Sequence, residues 1–254
     1  MKKLDIKSEN NYYVSNGKPF TPEAIFGERT IKKAFDFAYA MSFGKEGQHR
    51  DHRTGGNNKR KNGEIFINTF QGKLSEIAIF YFIKKLNESA SKKLSKLDFD
   101  IHPLGIWDDT DITLDNIKIS VKSTSNKGNL LLLETKDWNE NGEYTPNVGT
   151  EKNCTYDYFV FVRIEPDGKK VMTSNKLFYT DSIDENMLWN LINAEVWQYD
   201  IAGYVEHNDL VHAINNNFII PQGAMLNKWT KMDAENYYIQ SGDMRDFQQL
   251  VISL

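Results

Sequence analysis

A chain of 254 residues, 40% apolar and 13% aromatic, has the material for one large α/β domain with a sizeable core, which excludes an intrinsically disordered protein. The net charge of −4 supplies no global attraction to nucleic acid, and the lone Cys154 excludes an intrachain disulfide framework and a cysteine-based zinc site. The opening MKKLDIKSENN lacks an apolar run behind its lysines and the apolar stretch IAIFYFI is far too short to span a bilayer, so a soluble protein of the reducing cytoplasm, without a membrane partner, is expected.

In chain order, residues 12–20 read as a turn around Asn16-Gly17 joining two short strands. Thr21-Pro22 supplies an N-cap and a first-turn proline for a helix running to about residue 43. Residues 45–62, KEGQHRDHRTGGNNKRKN, then gather Lys45, Arg50, Arg53, Lys59, Arg60 and Lys61 with His49 and His52, against Glu46 and Asp51. Gly55, Gly56 and the asparagines oppose helix and strand, which leaves a basic loop. Such a loop either orders around a phosphate backbone or is a solvated surface segment.

A second helix is predicted in FINTFQGKLSEIAIFYFIKKLNES, capped near Asn68 or Thr69 and closing on lysines that suit the helix dipole. From residue 97 the pattern changes to strands: LDFDIHPLGIW, TDITL, NIKISVKS, NLLLLE and YDYFVFVRI. Helices return in DENMLWNLINAEVW and HNDLVHAINNN. The list packs as an α/β (α+β) fold, a central mixed β-sheet flanked by helices. The chain reads as a single domain over residues 1–254, with its core at about 69–165, a helix and basic loop at 21–68 and a mixed region at 166–254.

Within the second helix, Glu76 lies among Ile79, Phe80 and Ile83 at helical spacing. A buried carboxylate needs a partner, because an unpaired buried charge costs several kcal/mol or forces protonation. Lys73, three residues back, is one candidate and a metal ion another.

The stretch WDDTDITLDNIKISVKS, residues 107–123, can be built as a hairpin. A two-residue turn at Asp115-Asn116 pairs Leu114 with Ile117, Ile112 with Ile119, Asp111 with Ser120 and Asp109 with Lys122. Alternation then puts Ile112, Leu114, Ile117, Ile119 and Val121 on one face and Asp109, Asp111, Thr113, Lys118, Ser120 and Lys122 on the other. A surface hairpin with cross-strand salt bridges would show the same pattern.

At these residues the sequence resembles the PD-(D/E)XK nucleases, a superfamily that includes most type II restriction endonucleases. Asp111 matches the Asp of the first strand, Ser120-Val121-Lys122 the acid-x-Lys of the second, and Glu76 the helical Glu. Ser120 stands where the family usually carries Asp or Glu, a departure that a minority of restriction enzymes share while recruiting a Glu from elsewhere. Glu134, in NLLLLETKDW, is an alternative to Glu76 for that role. The resemblance implies a restriction-endonuclease-like core, a Mg²⁺ cofactor, double-stranded DNA as substrate and a homodimer. It also implies Asp111, the main-chain carbonyl of Val121 and Glu76 as metal ligands, with Glu134 or Asp109 as alternatives.

The chemistry accounts for these residue types. Phosphodiester hydrolysis needs charge neutralised on the phosphate and an activated water, and a hard Mg²⁺ held by one or two carboxylates supplies both. Asp111, Lys122, Glu76 and Ser120 form the expected catalytic set, Lys122 acting on the water or the scissile phosphate. His49, Arg50, His52, Arg53, Lys59, Arg60 and Lys61 are the expected DNA contacts. His207 and His212 lack partners at metal spacing, and no Walker loop or GxGxxG occurs, so no nucleotide cofactor is expected. A sequence-specific restriction enzyme, a repair or junction nuclease, and a DNA-binding relative without activity are the three expectations.

Overall fold

The computed structural model of the chain describes residues 1–44, 59–100 and 110–254. Strands β1 (Asp5–Ser8) and β2 (Asn11–Tyr13) pair antiparallel. They turn at Asn10, whose φ of 64° lies in the left-handed region that Asn tolerates. The predicted turn at Asn16-Gly17 does not form, because the Asn16 backbone N–H donates to the Gln240 side chain at 2.9 Å. Thr21-Pro22 starts no helix either. The chain there adds a short edge strand, β3 (Ala24–Ile25), and helix α1 (Glu28–Ser42) begins only after Gly27.

Helix α2 (Asn62–Leu86) begins earlier than predicted, so Asn68 and Thr69 lie inside it. Its start is fixed from a distance in sequence: the Gly63 N–H donates to Thr180 O at 3.0 Å. A Cβ on Gly63 would lie 1.9 Å from Leu177 O, so only glycine allows this approach. The helix closes on Lys84 and Lys85, as expected, and a short α3 (Glu88–Ser91) follows, capped by Asn87.

The predicted strand from residue 97 is not formed over Leu97–Asp100, and its remainder lies outside the described residues. The next four strands form where alternation placed them: β4 (Ile112–Leu114), β5 (Ile117–Ser125), β6 (Leu130–Glu134) and β7 (Tyr158–Glu165). Then come α4 (Gly168–Ser174), α5 (Glu185–Asn193), β8 (Gln198–Glu206), α6 (His207–Asn215), β9 (Ile219–Ile220), β10 (Met225–Leu226), β11 (Thr230–Lys231), β12 (Asn236–Gln240) and α7 (Phe247–Ser253). β8 had no clear alternation to announce it. Its register against β7 shifts beside Phe161, where Gly203 has a φ of 145°, so its side chains change face midway.

The strands form three sheets. The largest has the order β3-β8-β7-β5-β4, antiparallel except for the parallel β5–β7 pair. A second has the order β6-β12-β9 and a third β1-β2-β10-β11. One face of the largest sheet, through Ile112, Ile119, Val121 and Val160, packs with α1 and α2 residues such as Phe35, Phe70 and Leu74. The opposite face, through Phe159 and Phe161, packs with Leu131, Ile220 and Ile239 of the second sheet and Leu210 of α6. The expected mixed sheet flanked by helices is present, with the difference that a second sheet covers much of one face. None of the helices in the described residues is long and apolar enough to cross a membrane.

A buried polar tie joins β7 and β8 of the largest sheet. Arg163 of β7, 1% exposed, donates through Nε to Asp200 Oδ1 of β8 at 2.8 Å and through its remaining nitrogens to Lys18 O, Pro19 O and Asn129 Oδ1. Satisfying nearly every donor makes burial of this charge tolerable.

Candidate active site on the β4–β5 hairpin

The hairpin forms in the predicted register: Ile112 faces Ile119, Thr113 faces Lys118 and Leu114 faces Ile117. Asp115 takes a φ of 57° at the turn, the left-handed conformation that Asp allows at small cost. A lateral ion pair from Lys93 Nζ to Asp115 at 3.1 Å and a bridge from Leu94 to Leu114 brace the tip. Asp157, which the sequence did not single out, accepts from the Lys118 N–H at 2.7 Å and so fixes the start of β5.

Beyond the ladder, Asp111 continues the register by its side chain. Its Oδ2 accepts from Ser120 Oγ at 3.1 Å and from the Val121 N–H at 2.6 Å. Extended residues direct N–H and C=O to the same side, so the Val121 carbonyl points toward the edge on which Asp111 lies. Ser120 and Lys122 oppose Phe159 and Phe161 on the parallel strand β7, which places both on the face turned toward the second sheet. Lys122 is half-buried and makes no hydrogen bond or ion pair among the described residues. Asp109, expected opposite it, lies outside the described residues.

Glu76 is placed differently. Lys73 Nζ donates to Glu76 Oε2 at 2.6 Å and to Asp98 O at 2.9 Å, with the rings of Phe37 and Phe99 against the ammonium. Both residues belong to α2, which packs on the apolar face of β5, the face that Ser120 does not share. Glu134 ends β6 opposite Asn236 of β12. Alternation puts it on the same face of the second sheet as Tyr238 and Gln240, whose side chains bond the N-terminal residues Leu4, Ser15 and Asn16. The described contacts therefore bring Asp111, Ser120 and Val121 together, with Lys122 next on the strand, and hold Glu76 with Lys73.

Of the expected DNA contacts, Lys59, Arg60 and Lys61 are described, and His49, Arg50, His52 and Arg53 are not. Lys61 pairs with Asp181 at 2.5 Å. That hydrogen bond holds the Asp181 carboxyl below its ordinary range. Among the described residues, no group of three or more His, Cys, Asp or Glu side chains is arranged to hold a metal ion. A site assembled from one carboxylate, a carbonyl, waters and phosphate is not of that kind. Neither models of known protein families, nor curated proteins, nor solved structures match the chain.

Proposed function

We propose that the chain is a Mg²⁺-dependent endonuclease of the PD-(D/E)XK restriction type, hydrolysing double-stranded DNA as a cytoplasmic homodimer. The observation that carries this reading is the hairpin register, which sets the Asp111 carboxylate against Ser120 and Val121, with a half-buried Lys122 on the face of Ser120. Asp111 and the Val121 carbonyl would hold Mg²⁺, whose role is to neutralise phosphate charge and make a bound water nucleophilic. Ser120 Oγ orients the Asp111 carboxylate. Lys122 supplies a compact positive charge to the scissile phosphate or its attacking water. Residues 59–61 lead into α2 and would follow the DNA backbone.

A second reading has its own observation. Asp111 Oδ2 is already satisfied by the hairpin, and Glu76 by Lys73, as in a DNA-binding relative that keeps the fold without cleaving. Incubation of the purified protein with long unmethylated duplex DNA and Mg²⁺ separates the two. Discrete fragments, lost in Asp111→Ala and Lys122→Ala, are the expected result. A smear or cutting confined to branched DNA would point to a repair-type nuclease. Retained binding without product would establish the second reading.

A further inference from the structure

The third sheet carries a feature that the hairpin site does not use. Trp229, at the tip joining β10 and β11, is 87% exposed, whereas Trp138 and Trp197 are buried. The tip is held firmly. The Asn227 N–H donates to Tyr12 O at 2.8 Å, Asn227 Oδ1 accepts from the Val14 N–H at 3.1 Å, and the Trp229 N–H closes the turn on Leu226 O at 3.1 Å. Asn227 and Lys228 both take left-handed φ values, 51° and 66°, a tight turn that pushes the indole outward.

The tip itself carries charge of one sign: Lys228 and Lys231 flank Trp229, and the nearest acidic residue after them is Asp233, at the foot of β11. Lys228 and Lys231 are exposed on either side of Trp229, and Lys7 lies 4.8 Å from the Tyr13 ring centroid on the neighbouring strand pair. A large aromatic left in water on a braced turn, between two lysines, suits a polyanion that also offers flat apolar faces.

We propose that the β10–β11 hairpin is a DNA contact, with Lys228 and Lys231 on phosphates and Trp229 stacked on or wedged against a base of the duplex. This deepens the nuclease reading, on which the choice of partner rests, by assigning a surface outside the cleavage site. The test measures binding of mixed-sequence duplex DNA without metal, by anisotropy and by acrylamide quenching of tryptophan emission. Trp229→Ala is expected to weaken binding about tenfold and Trp229→Phe much less. Lys228→Ala and Lys231→Ala should each lower the slope of log affinity against log salt by about one. Met187→Ala, at an exposed position on α5, should bind like the parent.

If the parent binds DNA and Trp229→Ala binds equally well, this inference fails and the nuclease reading stands. If the parent binds no DNA, both fail. Loss of a dimer in Trp229→Ala, seen by sedimentation with unchanged DNA affinity per chain, would make the tip a self-association surface and overturn the proposal.

Discussion

Ser120 Oγ donates to Asp111 Oδ2 at 3.1 Å, at the position where the proposed nuclease motif would call for a second carboxylate. Ser120→Ala removes that donor and leaves the Val121 N–H in place, so a loss of about 1 kcal/mol in stability is expected. Ser120→Glu should behave oppositely with respect to metal. Two carboxylates that close repel and raise the pKa of one of them, so the variant without metal should melt lower than the parent and gain more in Tm from added Mg²⁺. An equal Mg²⁺ response in both proteins would sink the metal role of Asp111.

Glu76 and Lys73 form a largely buried pair, with the Lys73 side chain only 5% exposed. Glu76→Ala strands the ammonium, and removing one partner of such a pair typically costs about 3–5 kcal/mol. Chemical denaturation should show this loss, while cleavage per folded molecule should change little. A fall of a hundredfold in cleavage with stability unchanged would assign Glu76 to the chemistry instead.

The tie between Arg163 and Asp200 joins β7 to β8 and holds Lys18 and Pro19 by their carbonyls. Asp200→Ala should destabilise by about 3–5 kcal/mol because the guanidinium remains buried. A urea midpoint within error of the parent would refute this.

Gly63→Ala tests the packing of the α2 start. The added methyl would sit 1.9 Å from Leu177 O and 2.9 Å from Phe178 O, backbone atoms that can move only by shifting the segment after α4. Overpacking of this kind costs about 1–3 kcal/mol, more than the helix-propensity gain of about 1 kcal/mol from replacing glycine. Thermal unfolding should therefore show a lower Tm.

Asp181 titrates below its ordinary value of 3.8, chiefly because Lys61 donates a hydrogen bond to it. Between the folded value and 3.8 the unfolded chain binds more protons, so stability rises with pH across that window. The contribution is complete above 3.8 and vanishes as pH falls through the folded value. Asp181→Asn should be less stable than the parent at neutral pH, with the difference closing in acid. A Tm difference independent of pH would show that the Lys61 contact contributes nothing.

The amino-acid sequence by itself determined the β4–β5 hairpin. A turn pair and strict alternation leave one register, since a slip of one residue would expose Ile112, Ile119 and Val121 and bury their charged neighbours. It also determined strands β4 to β7 and the existence of α1, α2, α5 and α6, each marked by local periodicity. Only the tertiary structure decided where α2 begins, because its first residues are held by Thr180 and Asp181, more than a hundred positions away. The same holds for β3 and β10, two-residue strands whose local pattern is too short to read and whose partners β8 and β2 lie far off in sequence. The partner of Glu76 was likewise open in the sequence, which offered Lys73 or a metal. Packing of α2 against α1 and the segment at Asp98 brought the ammonium onto the carboxylate, because a charge enclosed by Phe37 and Phe99 must meet its counter-charge where the fold puts one.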